Sequence, residues 1–186
     1  MTSIRLTLFA VGIALGVATS TRAQDMPPMP KPGPEHALLK MDEGTWDAVV
    51  EISGPPGAPA MTSKGVEVNT IGCGGLCLIT DFKGDMMPGV AFHGHGTTTY
   101  DPVAKKYVGS WTDSMSAGLA ISEATYDPAT KKLASTMEAR DMSGAMVKSR
   151  GASEYMGADQ RVMTMFAPTP DGKEMQTMRI TYTRRK

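Results

Sequence analysis

Two histidines one residue apart, His93 and His95 in FHGHGTTTYDP, are the side chains whose spacing most directly offers chemistry. On an extended strand, residues i and i+2 point to the same side. Both imidazoles therefore face one way and could share a metal ion. A protein metal site takes three or four ligands, and Met86 and Met87 lie in the adjoining segment, with His36 the one remaining histidine. Imidazole and thioether ligands suit copper, and haem is the other group such a pair would take. The competing reading places both histidines on the water-facing side of a β-hairpin, and the flanking residues favour it.

If Tyr100 faces Tyr107 across the Asp101-Pro102 turn, the register follows by counting. Thr98 meets Gly109, Gly96 meets Trp111, and Gly94 meets Asp113, while His95 meets Thr112, His93 meets Ser114 and Thr97 meets Ser110. Alternation then puts Phe92, Tyr100, Tyr107 and Trp111 on one face and the Thr, Ser and His side chains on the other. An aromatic lying across a strand glycine covers otherwise bare backbone, which accounts for Gly94 and Gly96 without a ligand. A surface of Thr, Ser and His is what a solvated sheet face carries. Asp113 falls on the aromatic face, and Glu123 is a second acid read as facing inward. A carboxylate in an apolar cavity needs a partner such as Arg179, or sits protonated.

Cys73 and Cys77 stand in IGCGGLC. On an extended strand four residues span about 13 Å, and a disulfide tolerates Cα separations of about 7 Å at most. The expectation is two separate, partly buried thiols; pairing requires Gly72, Gly74 and Gly75 to fold the chain back. The spacing is neither a redox Cys-x-x-C nor a zinc knuckle. No Gly-x-Ser-x-Gly elbow, His-Glu-x-x-His, phosphate loop or dinucleotide fingerprint is present. Nothing therefore marks an enzyme, although an unrecognised catalytic pocket is a reading the sequence leaves open.

Residues 1–23 read as a secretory signal. Arg5 begins it, Leu6–Ala18 forms an apolar run of 13 residues, and Thr21-Arg22-Ala23 supplies small residues before a cut at Gln24. That run is too short for a bilayer span, which needs about 20 residues. Export to the periplasm or beyond is the expectation. Loss of Arg5 and Arg22 leaves 17 basic against 19 acidic side chains, a balance that offers nothing to nucleic acid or anionic membranes. Residues 24–34, with five prolines, form a flexible lead-in. Pro34 can open a short helix over PEHALLKMDE, ended by Gly44.

Residues 35–186 read as one domain. Period-two patterns predict strands near 45–53, 62–71, 75–82, 91–100, 107–114, 118–126, 133–140, 146–156, 160–167 and 174–184. YDPVAKKY (100–107) and YDPATKKL (126–133) are the same turn device used twice. About ten strands with almost no helix predict an all-β antiparallel barrel or sandwich. The chain holds 16 methionines and only 11 aromatic residues. Such a thioether-rich core packs readily around a variable apolar partner, although plain core filling accounts for it too.

Gly44-Thr45-Trp46, just after the helix and opening the first strand, resembles the Gly-x-Trp signature of lipocalins and other calycins. That resemblance implies a tryptophan closing the barrel base beneath an arginine of the last strand, Arg184 before Arg179. KPGPEHALL, GTWDA, GDMMPGVAFHGHGTTTYDPVAKKYVGSW, TDSM, PDGKEM and ITYTRRK are similar to the bacterial secreted domain-of-unknown-function family numbered fifteen seventy-nine. The resemblance covers residues 31–186 and implies a calycin-like barrel of 8–10 strands, with no assigned activity. The family pattern does not require Cys73 or Cys77.

The expectation is an exported barrel that binds a small, largely apolar molecule without a cofactor. Trp46, Phe92, Tyr100, Trp111, Met163 and Met165 would line or close the cavity, and Asp113 or Arg179 would orient the ligand. Copper or haem at His93 and His95, with Met86 and Met87, is the alternative, and a filled barrel acting through its surface is another.

Overall fold

Ten strands follow one another round a closed antiparallel barrel in chain order, with each strand paired to its sequence neighbours. They are β1 (Gly44–Ile52), β2 (Met61–Gly72), β3 (Cys77–Met87), β4 (Val90–Asp101), β5 (Lys106–Asp113), β6 (Ala120–Asp127), β7 (Lys132–Arg140), β8 (Met146–Tyr155), β9 (Gln160–Pro168) and β10 (Glu174–Arg184). Pairing of β1 with β10, Trp46 opposite Arg184 and Ile52 opposite Met178, closes the seam, so no strand keeps a free edge. This is a computed structural model. It describes residues 28–54, 58–87, 89–116, 118–141, 143–169 and 172–186, without the side chains of Met86 and Met87. The signal-like segment 1–23 and the first part of the lead-in lie outside the described residues. Lys31–Lys186 form one unit, and no described helix is long and apolar enough to cross a membrane.

The two Asp-Pro turns use one chemistry. Asp101 accepts the backbone N–H groups of Val103 and Ala104, and Asp127 accepts the N–H of Ala129 and the hydroxyl of Thr130. Lys105 and Lys131 take left-handed backbone, φ 55° and 57°, to complete each bend. The first turn sets the β4–β5 register, which places Tyr100 opposite Tyr107, Gly96 opposite Trp111 and Gly94 opposite Asp113. A Cβ at Gly94 would stand 2.1 Å from the Trp111 ring, so that glycine is required by the indole lying across it.

One helix, α1 (His36–Asp42), plugs one end of the barrel. Its buried Leu38 and Leu39 pack with Leu78, Tyr107, Ala124 and Tyr155, and with the half-buried Tyr100. A helix leaves its last carbonyls without internal partners, and here the barrel supplies the donors. Trp46 Nε1 and Asn69 Nδ2 donate to the Asp42 carbonyl, and Arg184 donates to those of Met41 and Glu43. At the other helix end Tyr107 donates to the Glu35 carbonyl at 2.8 Å, and burial pushes its phenol up to about 12.

The cysteines correct the sequence expectation. Cys73 and Cys77 form a disulfide across a Cα separation of 5.5 Å. The segment between β2 and β3 is not extended; Cys73–Gly75 is a 3-10 turn. Cys73, Gly74 and Gly75 have φ of 53°, 66° and 96°, and three left-handed residues in a row double the chain back. For the same reason β3 begins at Cys77 and not at residue 75.

Candidate ligand cavity

Just inside the plugged end lies a buried ionic cluster. Arg161, at the start of β9, reaches both Glu67 on β2 and Asp42 on α1, and both acids are almost wholly buried. Asn69 donates to Glu67 at 2.7 Å and accepts from Thr80 at 2.7 Å, while Tyr155 donates to the Asp42 carboxylate at 2.9 Å. The Arg161 guanidinium lies 4.0 Å from the Tyr182 ring centroid and 5.0 Å from that of Trp46. Burial pulls the Arg161 pKa down, but the carboxylates of Glu67 and Asp42 outweigh it and hold the guanidinium charged. For Asp42 burial prevails, lifting its carboxyl above the ordinary carboxylate range against the opposing pull of Arg161. Asp42 Oδ1 and Arg161 Nε stand 3.3 Å apart without an aligned hydrogen bond. The cluster ties helix, first strand and last strands together and seals the floor.

Above that floor the interior changes character. Pairing parity points Trp111, Met137, Ser149, Ser153, Met163, Met165 and Met178 inward, yet every one of them keeps partial solvent access. Inward side chains of the plugged half, such as Trp46, Tyr107, Tyr155 and Tyr182, are nearly sealed. The half away from α1 is thus accessible from inside. Near the strand ends of that half Met61, Met115, Leu119, Met146 and Met175 are exposed.

The structure distributes the expected site residues between these halves. Phe92, Trp111, Met163 and Met165 face the accessible half. Trp46 and Tyr100 do not line it: Trp46 lies in the floor beneath Arg161 and Arg184, and Tyr100 packs edge-on against His36 and Tyr107. Asp113 sits at the rim, where it accepts the Trp111 indole N–H at 3.1 Å, the Met115 N–H and the Ser116 hydroxyl. Arg179 is a correction. It lies on the outer wall opposite Glu51, 3.8 Å from its carboxylate, because strand parity turns Met178 and Ile180 inward and the residue between them outward. It therefore faces neither Asp113 nor the barrel interior. Glu123 is likewise outside, paired with Lys106, whose hydrogen bond holds its carboxyl below the ordinary range.

His93 and His95 are exposed on the outer wall, and His95 Nδ1 lies 2.8 Å from Asp81. Among the described residues no three His, Cys, Asp or Glu side chains are grouped to hold a metal. Met86 and Met87, the other members of the copper alternative, lie outside the described side chains.

Glu67, Asn69 and Arg161 are the interior polar residues that sequence reasoning missed. In GVEVNT the structure exposes Val68 and buries Glu67 and Asn69. Arg161 did carry a signal, since it shares strand parity with Met163 and Met165.

The strand order defines a closed ten-stranded antiparallel barrel with one end covered by a helix. The chain belongs to the family described as protein of unknown function (DUF1579), whose model matches residues 31–184. No curated protein is a detectable sequence relative. Among solved structures, Rv2717c from M. tuberculosis is similar at 11% identity and a TM-score of 0.62, over 83% of this chain and 99% of that one. The S-type phycobiliprotein lyase CPES from Guillardia theta is similar at 11% identity and a TM-score of 0.54, over 82% of this chain and 93% of that one. At such identity these likenesses establish the fold.

Proposed function

We propose that this chain is an exported protein that binds a small, largely apolar molecule in the accessible half of its barrel. One observation carries the reading: aromatic and thioether side chains that face inward, Trp111, Met163, Met165 and Met178, remain partly exposed. Side chains directed into a barrel and still wetted leave contact area for a ligand, and barrels of eight or more strands hold one small ligand. Affinity would come from removing apolar ligand surface from water. Thioethers adapt to the shape of what they meet. Among barrels of this fold, the Guillardia theta protein is a phycobiliprotein lyase, so the fold is not confined to structural support. Export rests on Arg5, the apolar run Leu6–Ala18 and the small residues ending at Ala23.

The test is titration with the uncharged dye Nile red. Saturable emission is expected, and Met165→Trp, which puts a large ring into the accessible half, weakens it at least tenfold. Equal uptake by the variant, or none by the native protein, overturns the reading. Export is read from the mass of the secreted product, expected to begin at Gln24; a product retaining residues 1–23 overturns it.

A further inference from the structure

The accessible half has two unlike walls. On β5, β9 and β10 it presents an indole and thioethers; on β6 to β8 it presents Ser122, Ser135, Ser149 and Ser153 beside Met137. One pairing row runs Thr98, Gly109, Ser122, Met137, Ser149 across β4 to β8. A Cβ at Gly109 would stand 2.7 Å from Ser122 Oγ and 3.3 Å from Thr98 Oγ1, and one at Gly151 would stand 2.5 Å from Ser135 Oγ. Glycine at these two positions lets hydroxyls lie flat against the wall. Ser149 donates to the Met137 carbonyl at 3.4 Å. Ser122, Ser135, Ser149 and Ser153 all point inward and keep partial solvent access, so their hydroxyls can offer hydrogen bonds to a bound molecule.

Charge is distributed differently. The inward-facing charged groups Glu67 and Arg161 are consumed by each other and by Asp42 in the floor. The rim acid Asp113 is taken up by Trp111, Met115 and Ser116. Among the described strand residues, pairing parity turns no lysine or arginine into the accessible half. An anionic ligand would enter with its charge uncompensated.

Taking the cavity as a binding site, we infer that its ligand is an uncharged, elongated molecule with hydroxyl or carbonyl oxygens along one edge, laid against the serines of β6 to β8. The apolar edge meets Trp111 and the methionines.

Displacement of bound Nile red by three ten-carbon probes tests this: 1-decanol, 1-decene, and decanoate at pH 8, where it is ionised. The native protein is expected to take 1-decanol about tenfold better than decanoate. In Ser122→Ala/Ser135→Ala/Ser153→Ala the ratio of the 1-decanol to the 1-decene midpoint rises about fivefold, the worth of one hydrogen bond. The single variant Ser135→Ala moves the ratio the same way by less. The ratio is the readout because a general loss of affinity leaves it unchanged. Decanoate binding as well as 1-decanol, or a ratio unmoved by the serine substitutions, overturns the inference while leaving the cavity reading intact. Failure of Nile red to bind at all defeats both.

Discussion

Arg184 and Trp46 face each other across the barrel seam, with the guanidinium 4.1 Å from the indole centroid. The same side chain donates to the carbonyls of Met41 and Glu43. One residue of the last strand thus fixes both the first strand and the helix that plugs the end. The arginine that the lipocalin resemblance implied over this tryptophan is the one found there.

Arg184→Ala is expected to cost about 2–4 kcal/mol, from a cation–π contact of about 0.5–2 kcal/mol and charged hydrogen bonds of about 1.5–3 kcal/mol each, discounted for partial exposure. Arg184→Lys should recover part of the loss. Urea unfolding reads the difference, and a cost below about 0.5 kcal/mol would show that the stack is incidental.

The floor predicts a pH signature. Arg161→Met leaves Asp42 and Glu67 buried without their cation, a loss of about 3–5 kcal/mol at pH 7. The Asp42 carboxyl is already lifted by burial against the pull of Arg161, and removing that pull lifts it further. A raised folded pKa contributes stability that is fully present below the unfolded value near 3.8 and lost as pH rises through the folded one. The deficit of Arg161→Met should therefore shrink between pH 7 and pH 4. Exposed carboxylates held low by partners, such as Asp47 beside Arg185, lose stability as pH falls, but equally in both proteins. Paired urea titrations at the two pH values check this, and an unchanged deficit contradicts it.

Much of the architecture was legible before any coordinates. The hairpin of β4 and β5 could be counted residue by residue because the Asp-Pro turn fixes its end and Tyr100, Tyr107 and Trp111 fix its faces. The interior polar cluster was hidden because alternation on β2 does not say which set faces inward; Glu67 stands opposite Trp46 on the neighbouring strand and pairs with Arg161. Arg179 was misplaced for want of one step of parity from Met178. The disulfide was discounted because a strand was assumed where three left-handed residues make a turn.

Gly94→Ala tests the indole packing. A methyl group there would overlap the Trp111 ring, with 2.1 Å to its nearest carbon. The ring must move, at about 1–3 kcal/mol. Loss of stability with a shift in tryptophan emission is expected, and pairing the change with Trp111→Leu should restore part of the stability. An unshifted spectrum at full stability would mean the ring lies elsewhere.

Cys73→Ser with Cys77→Ser opens a closed loop of five residues. Chain-entropy reasoning gives about 2 kcal/mol for so short a loop. Thermal unfolding of the double variant against the oxidised protein reads it, and the barrel should still assemble; a midpoint equal to that of the oxidised protein would remove the bridge from the stabilising contacts.

Because β1 finds its second neighbour only in β10, the ring cannot shut until β10 is in place. Contacts this distant in sequence make for slow assembly. A truncation that stops short of Tyr182 would strand two open edges and invite chains to stack on one another. Strand β10 therefore acts as the latch of the barrel, and a disturbance there will be felt at β1.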